Sequence, residues 1–270
     1  MRLSAWPTTD VGRIRSHNED AYLLDPRLGL YLVADGMGGH AGGAYASQTC
    51  VDVFRQVVSR GLSSLTSDPR DPGEVLHELL AAAAAEASAR IFDDAEDEPS
   101  LHGMGTTLTG MLFYQDHAYI AHVGDSRCYL LRNGSARQLT TDHSWLNEQI
   151  EAGLLTEEQA AESDLRHIIT RSIGFEREVE PDLLAVSVSP GDAFLLCSDG
   201  MSNYIESQEL GELARDHYYA ELSQACTDVA LERGGEDNIT VVTVLASNDV
   251  DDREPVGKPS RPVVPETIVP

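Results

Sequence analysis

Three apolar segments of this chain each end in an aspartate. Leu30-Tyr31-Leu32-Val33-Ala34 runs into Asp35-Gly36, Tyr119-Ile120-Ala121-His122-Val123-Gly124 into Asp125, and Phe194-Leu195-Leu196-Cys197-Ser198 into Asp199-Gly200. Two more acidic sites precede apolar segments: Glu19-Asp20 before the first, and Asp237 before Ile239 to Leu245. A single aspartate after a strand is an ordinary turn residue. Five carboxylate sites at strand ends can do more. If they converge, their repulsion raises their pKa values or requires a cation. All the donors are hard oxygens, and no histidine or cysteine pattern accompanies them, which selects Mg²⁺ or Mn²⁺ over zinc. A pair of such ions can activate a water for in-line attack on a phosphoester. Strand alternation puts Asp35 on the face of Tyr31 and Val33, and Asp199 on the face of Leu195 and Cys197.

The glycine loop Gly36-Met37-Gly38-Gly39-His40-Ala41 fits a loose dinucleotide pattern between a strand and a helix. A lone match of that kind is weak. An aspartate directly before the first glycine would repel a pyrophosphate. The glycines suit close approach of backbone to a metal or phosphate, with Gly36 offering its carbonyl.

The elements that must position these residues alternate in type. Tyr22 to Asp25 and Leu28 to Asp35 read as strands around Pro26-Arg27. Helices are expected over about 44–60 and 74–92. The run Asp93-Asp94-Ala95-Glu96-Asp97-Glu98 before Pro99 reads as a solvated loop. A meander follows, with strands over 106–114, 117–124, 127–132 and 136–139, and Asn133-Gly134 as a hairpin turn. Residues 142–173 read as a polar, helical excursion from the sheet. Strands return at 183–188 and 193–198, helices at 207–217 and 219–233, and a last strand at 239–245. The segment 247–270 has five prolines and no core pattern, and reads as a flexible acidic tail.

Composition excludes several classes. The chain has 270 residues, 41% hydrophobic, enough for a large core without disulfide staples. Lys plus Arg is 19 against 45 for Asp plus Glu, a net charge of −26. Such a surface repels nucleic acid and anionic lipid. The single lysine is Lys258, so no Walker lysine is present. Cys50, Cys128, Cys197 and Cys226 stand apart and read as buried thiols in a reducing compartment. None has an arginine six residues on, so thiol-phosphatase chemistry is not present. His77-Glu78 opens like a zinc-binding helix, but Ala81 stands where the second histidine belongs. No stretch is long enough to span a bilayer, and the first residues lack the apolar run of a signal peptide. The expectation is a cytoplasmic monomer.

Six motifs in order carry a resemblance: Arg15-Ser16-His17-Asn18-Glu19-Asp20, Asp35-Gly36-Met37-Gly38-Gly39, Gly105-Thr106-Thr107, Val123-Gly124-Asp125-Ser126-Arg127, Ser198-Asp199-Gly200 and Asp237-Asn238. Together, over roughly residues 8–246, they resemble the metal-dependent Ser/Thr protein phosphatases of type 2C (the PPM family), bacterial branch. The resemblance implies an α+β fold of two antiparallel sheets packed as a sandwich and flanked by helices, with a helical flap at about 142–173 and one phosphatase domain over 1–246. It implies hydrolysis of phosphoserine and phosphothreonine on proteins by a metal-bridging hydroxide, opposing a Ser/Thr protein kinase. By motif position, Asp35 would bridge two Mn²⁺ or Mg²⁺ ions, the Gly36 carbonyl would bind the first, and Asp199 and Asp237 the second. Glu19 and Asp20 would hold metal-bound waters. Asp125, with Asp199, matches a third, weaker metal site, and Arg15 the arginine that holds the substrate phosphate. That role suits a guanidinium fork.

The chain departs from the pattern in two places. Met37 stands where some members carry a histidine proposed as general acid, and His40 reads as a loop histidine. Gly43-Ala44 lacks an acidic residue expected there in many relatives. Arg171, with Arg166 and Arg177, could help hold a phosphopeptide beside the flap; for the last two a surface charge is an equal reading. Two rivals remain: a phosphoprotein-binding module without turnover, and a regulatory phosphatase dedicated to one partner. Retention of Arg15, Asp35, Asp199 and Asp237 argues against the first.

Overall fold

The computed structural model describes residues 1–39, 41–65, 68–156, 159, 165 and 168–248. His40, Arg166, the tail beyond Asn248 and much of the 157–167 part of the flap lie outside the described residues.

The apolar segments do form strands, and they assemble into two five-stranded antiparallel sheets. In the first sheet the order is β1 (Arg2–Asp10), β12 (Ile239–Ser247), β11 (Ala193–Cys197), β8 (Arg127–Arg132), β9 (Ser135–Gln138). In the second it is β10 (Asp182–Ser187), β7 (His117–Val123), β6 (Leu108–Tyr114), β3 (Leu30–Ala34), β2 (Ala21–Asp25). A two-stranded ladder joins β4 (Gly36–Met37) to β5 (Gly105–Thr106). The hairpin expected at Asn133-Gly134 links β8 to β9, with φ of 54° and 72° at the two positions, the left-handed pair that a tight hairpin turn demands.

The central strands carry apolar side chains on both faces because both faces are covered. Tyr31 and Val33 of β3 meet Phe194 and Leu196 of β11 and Val242 and Val244 of β12 between the sheets. Leu30, Leu32 and Ala34 face the other way, onto α1 (Ala41–Leu65) and α2 (Pro72–Asp97). Leu195 and Cys197 face α5 (Ser207–Asp216) and α6 (Tyr219–Glu232). The layers are therefore helix, sheet, sheet, helix, as the resemblance implies. Each fully buried Leu, Val or Phe here contributes about 1.5–3 kcal/mol.

Two sequence expectations need correction. No strand was expected before residue 11, yet β1 pairs with β12 at nine consecutive positions, Arg2↔Ser247 to Asp10↔Ile239. Trp6-Pro7 and a weak alternation disguise it, and Pro7 is tolerated because β1 is an edge strand. The acidic run 93–98 is not a loop. Residues 93–97 finish α2, where Ala95 extends the buried stripe of Ala84, Ala87 and Ile91. The carboxylates lie on its outer face: Asp94 accepts from Arg90 and Tyr45, and Asp93 from Arg177. Glu98 ends the helix and caps the short 3-10 turn Pro99–Leu101.

Among the described residues, no helix is long and apolar enough to cross a membrane.

Candidate active site

One end of the sandwich is a cleft of about 490 Å³ lined by Arg15, Glu19, Asp35, Gly36, Asp125, Asp199 and Asp237, among others. Asp35 follows β3, Asp125 follows β7, and Asp237 precedes β12. Glu19 is in the loop before β2, and Asp20 meets the same group from beneath. Asp199 arrives differently from the expected alternation. Ser198 is the N-cap of a short turn, α4 (Asp199–Ser202), so the helical turn rather than the strand aims Asp199.

Polar residues that sequence reasoning quoted only as parts of motifs fix this geometry. Asp35 is clamped through its backbone: its N–H donates to Thr107 Oγ1 at 2.9 Å, and its carbonyl accepts from Thr107 N at 2.9 Å and Thr106 Oγ1 at 2.8 Å. Thr107 Oγ1 is 2.7 Å from Ser126 Oγ, which ties the Asp35 corner to the Asp125 corner. Ser198 donates to Asp20 Oδ2 at 2.8 Å and accepts from Thr240 N. Asn238 staples the N-terminal loop to β12, accepting from Glu19 N and donating to the carbonyls of Val11 and His17. The signal for Thr106, Thr107, Ser126, Ser198 and Asn238 was present in the sequence, because each sits inside one of the six motifs.

The structure gives no reason for the missing acid at Gly43-Ala44, but it does show why residue 43 is a glycine. A Cβ on Gly43 would collide with Glu19 Oε2 and with the Gly36 backbone, and a Cβ on Gly36 would collide with the carbonyls of Gly43 and Glu19. The start of α1 thus packs directly on the catalytic loop, and only glycine permits that distance.

The flap is anchored at both ends. Gly124 N donates to His143 Nδ1 at 3.0 Å, His143 N donates to the Gly124 carbonyl, and Thr170 N donates to the His143 carbonyl. Between them, α3 (Trp145–Glu151) is capped by Ser144. Ile169 lines the cleft. Arg171 does not line it, being held by Asp182 Oδ1 at 2.8 Å, and Arg177 pairs with Asp93 outside it.

The carboxylates of the cleft act on one another's charge. Burial raises the Asp35 pKa well above the usual carboxylate range, and Asp20, Asp199, Asp125 and Asp237 raise it further. Burial pushes Asp20 up to about 7, against hydrogen bonds from Thr240 and Ser198, with Asp199 and Asp237 adding to the rise. Burial, Asp199 and Asp142 push Asp125 up to about 8. Arg15 is the cation of the cleft. Its NH2 group donates to Asp237 Oδ2 at 2.7 Å. Burial would lower its pKa, but Asp237, Glu19 and Asp35 together hold it up.

The arrangement fits hard divalent cations. Asp20 Oδ1 is sealed from solvent and has no hydrogen-bond partner among the described residues, a costly state that a cation or its water relieves. No three His, Cys, Asp or Glu side chains among the described residues close on one point. The cleft is open, as suits an ion that keeps several waters and takes only part of its shell from protein.

A protein-family description settles the class: Protein phosphatase 2C matches residues 12–239. The chain belongs to the protein phosphatase 2C family. A serine/threonine phosphatase of Listeria innocua, stp, is 38% identical over 240 residues, covering 87% of this phosphatase and 93% of that protein. The crystal structure of the Mycobacterium tuberculosis serine/threonine phosphatase PstP/Ppp superposes with a TM-score of 0.82 at 35% identity, covering 92% of this chain and 100% of that one. The PstP catalytic domain in complex with two manganese ions gives 0.78 at 34% identity, covering 91% and 99%. This phosphatase is accordingly a metal-dependent Ser/Thr enzyme that acts on phosphoproteins, and the sequence expectation of its bacterial branch holds.

Proposed function

We propose that residues 1–246 form the phosphatase unit and that two divalent cations occupy the cleft. Asp35 would bridge them, with the Gly36 carbonyl on the first and Asp199 and Asp237 on the second. Glu19 and Asp20 would hold their waters, and Asp125 with Asp199 a third ion. The observation that carries this reading is the convergence of Glu19, Asp35, Asp125, Asp199 and Asp237 on one cleft. The complex of the PstP catalytic domain with two manganese ions supports Mn²⁺ as a working ion.

Bound cations supply Lewis acidity and an activated water for in-line hydrolysis. The chain's own residues do the rest. Arg15 sits at the mouth, 52% exposed, where its guanidinium fork can exchange Asp237 for two oxygens of a substrate phosphate. Thr106 and Thr107 keep Asp35 from turning when charge develops beside it. No Ser, Cys or His side chain lines the cleft among the described residues, and its aspartates are assigned to the cations, so water rather than a side chain is the nucleophile in this reading. Met37 offers no proton, so the leaving alkoxide takes its proton from water. The cellular counterpart is a Ser/Thr protein kinase whose products this enzyme reverses.

The test is phosphate release from a phosphothreonine peptide with Mn²⁺, with Mg²⁺ and with a chelator. Release that requires the ion is expected. No release from folded protein with any divalent ion would sink the reading in favour of a phosphoprotein-binding module.

A further inference from the structure

A second groove, of about 570 Å³, continues from the active cleft, and the two share Met37 and Ile169. Its apolar lining is completed by Phe175 and Val179. Phe175 is 67% exposed, an unusual position for a phenyl ring with no interior to fill. Glu176, Glu178 and Glu180 also line the groove, and all three are exposed. Among the described residues, none of these three carboxylates is held in an ion pair. Arg177, between them, is paired with Asp93. The groove's own cation, Arg171, is already held by Asp182 Oδ1 at 2.8 Å and by the Glu180 carbonyl at 3.1 Å.

A phosphorylated protein reaches the cleft as a chain, not as a lone phosphoester. Its backbone must leave the cleft on either side of the reacting residue, and the groove begins where the cleft ends. We propose that this groove receives the substrate polypeptide on one side of the phosphorylated residue, and that it selects basic side chains there through Glu176, Glu178 and Glu180 and an apolar one against Phe175. The assignment rests on the phosphatase reading of the adjoining cleft. Charge complementarity identifies the occupant, because three exposed carboxylates that form no ion pair among the described residues, beside a ring, favour Arg or Lys, whose stems lie along apolar surface. It also gives a direction: a groove that leaves the cleft on one side imposes a preference on one flank of the phosphoresidue only.

The experiment compares phosphothreonine peptides of one core sequence, with single arginines placed in turn along each flank, against p-nitrophenyl phosphate, which is too small to reach the groove. The enzyme is the full chain with Mn²⁺. Its variant carries Glu176→Gln, Glu178→Gln and Glu180→Gln, and a control variant carries Glu212→Gln, Glu221→Gln and Glu232→Gln, exposed positions on α5 and α6. Wild type should favour arginine on one flank, through KM. The groove variant should lose that preference, roughly two- to fivefold in kcat/KM as the exposed charge pair made by each arginine disappears. It should keep p-nitrophenyl phosphate turnover, and the control variant should keep both. Phe175→Ala should reduce turnover of peptides with an apolar flank and spare p-nitrophenyl phosphate. An equal preference on both flanks, or one that survives the groove variant, overturns the proposal. Wild type that hydrolyses neither peptide nor p-nitrophenyl phosphate overturns the phosphatase reading itself, a separate outcome.

Discussion

The two ends of this sandwich carry the same residue type in opposite conditions. At the end away from the cleft, Asp25 and Asp192 are buried, and each meets an arginine. Asp25 accepts from Arg55 Nε at 2.8 Å and from the N–H groups of Arg27 and Leu28. Asp192 accepts from Arg132 Nε and NH2, both at 2.7 Å, and from Ser189 N. At the cleft end, Asp35, Asp20, Asp125 and Asp199 meet chiefly one another. Burial raises Asp35, Asp20 and Asp125 alike, and neighbouring carboxylates add to the rise. For Asp25, burial is outweighed by Arg55 and the turn N–H groups, and its pKa is lowered. Aspartate at a strand end is therefore neutral information. What decides its role is whether the fold gives it a cation of its own or leaves it to share one from solution.

The sharpest way to break this contrast is Asp35→Asn. Phosphate release should fall by at least about 10²–10³-fold, the scale of losing one preorganised charge group. The melting temperature in chelator should hold or rise, because a like charge has gone. Asp237→Asn should match it in activity. Near-normal turnover in either variant would remove the carboxylates from the chemistry.

Next comes the pH dependence of stability in chelator. At the cleft end, Asp20 and Asp125 keep protons up to about 7 and about 8, while the unfolded chain releases them near ~4. Between those values the folded state binds more protons, so this end loses stability as pH rises. Asp25, with its lowered pKa, works the other way: its contribution is present above ~4 and is lost as pH falls through its folded value. Melting temperatures across pH 4 to 9 should show Asp125→Asn flattening the fall towards pH 8. A variant that parallels wild type throughout would contradict the clustering. Saturating Mg²⁺ should replace the protons and raise stability, by about 2.7 kcal/mol at a hundredfold excess over its dissociation constant.

At the opposite end, Arg132→Ala strands a carboxylate that is only 3% exposed. A loss of about 1–3 kcal/mol in denaturant unfolding is expected, with kcat and KM unchanged. Altered kinetics there would mean the two ends are not independent. The smallest effect belongs to Arg15→Ala, which should raise KM about tenfold, ~1.4 kcal/mol of phosphate binding. An unchanged KM would leave Arg15 as a partner of Asp237 only.

Most of the central strands were legible because burial on both faces makes them uniformly apolar, as in Phe194 to Cys197. The carboxylates were legible because they interrupt those runs. What escaped was governed by partners distant in sequence. β1 exists because β12, more than 200 residues later, offers it an edge. The end of α2 survives four acidic residues within its last five positions because Arg90, Arg177 and Tyr45 meet its outer face. Gly43 made sense only when Glu19 and Gly36 were found against it. The direction of Asp199 depended on a helical turn four residues long, too short to leave a periodic signal.

The pairing of β1 with β12 also has a mechanical side. Arg2 lies opposite Ser247, so tension applied at these two positions acts on one end of an antiparallel ladder. Load then falls on one hydrogen-bonded pair at a time, and the strand peels like a zipper instead of shearing as a block. The last rung to open, Asp10↔Ile239, is the one beside Asp237. A pull from that side would strip most of an edge strand before it disturbed the cleft.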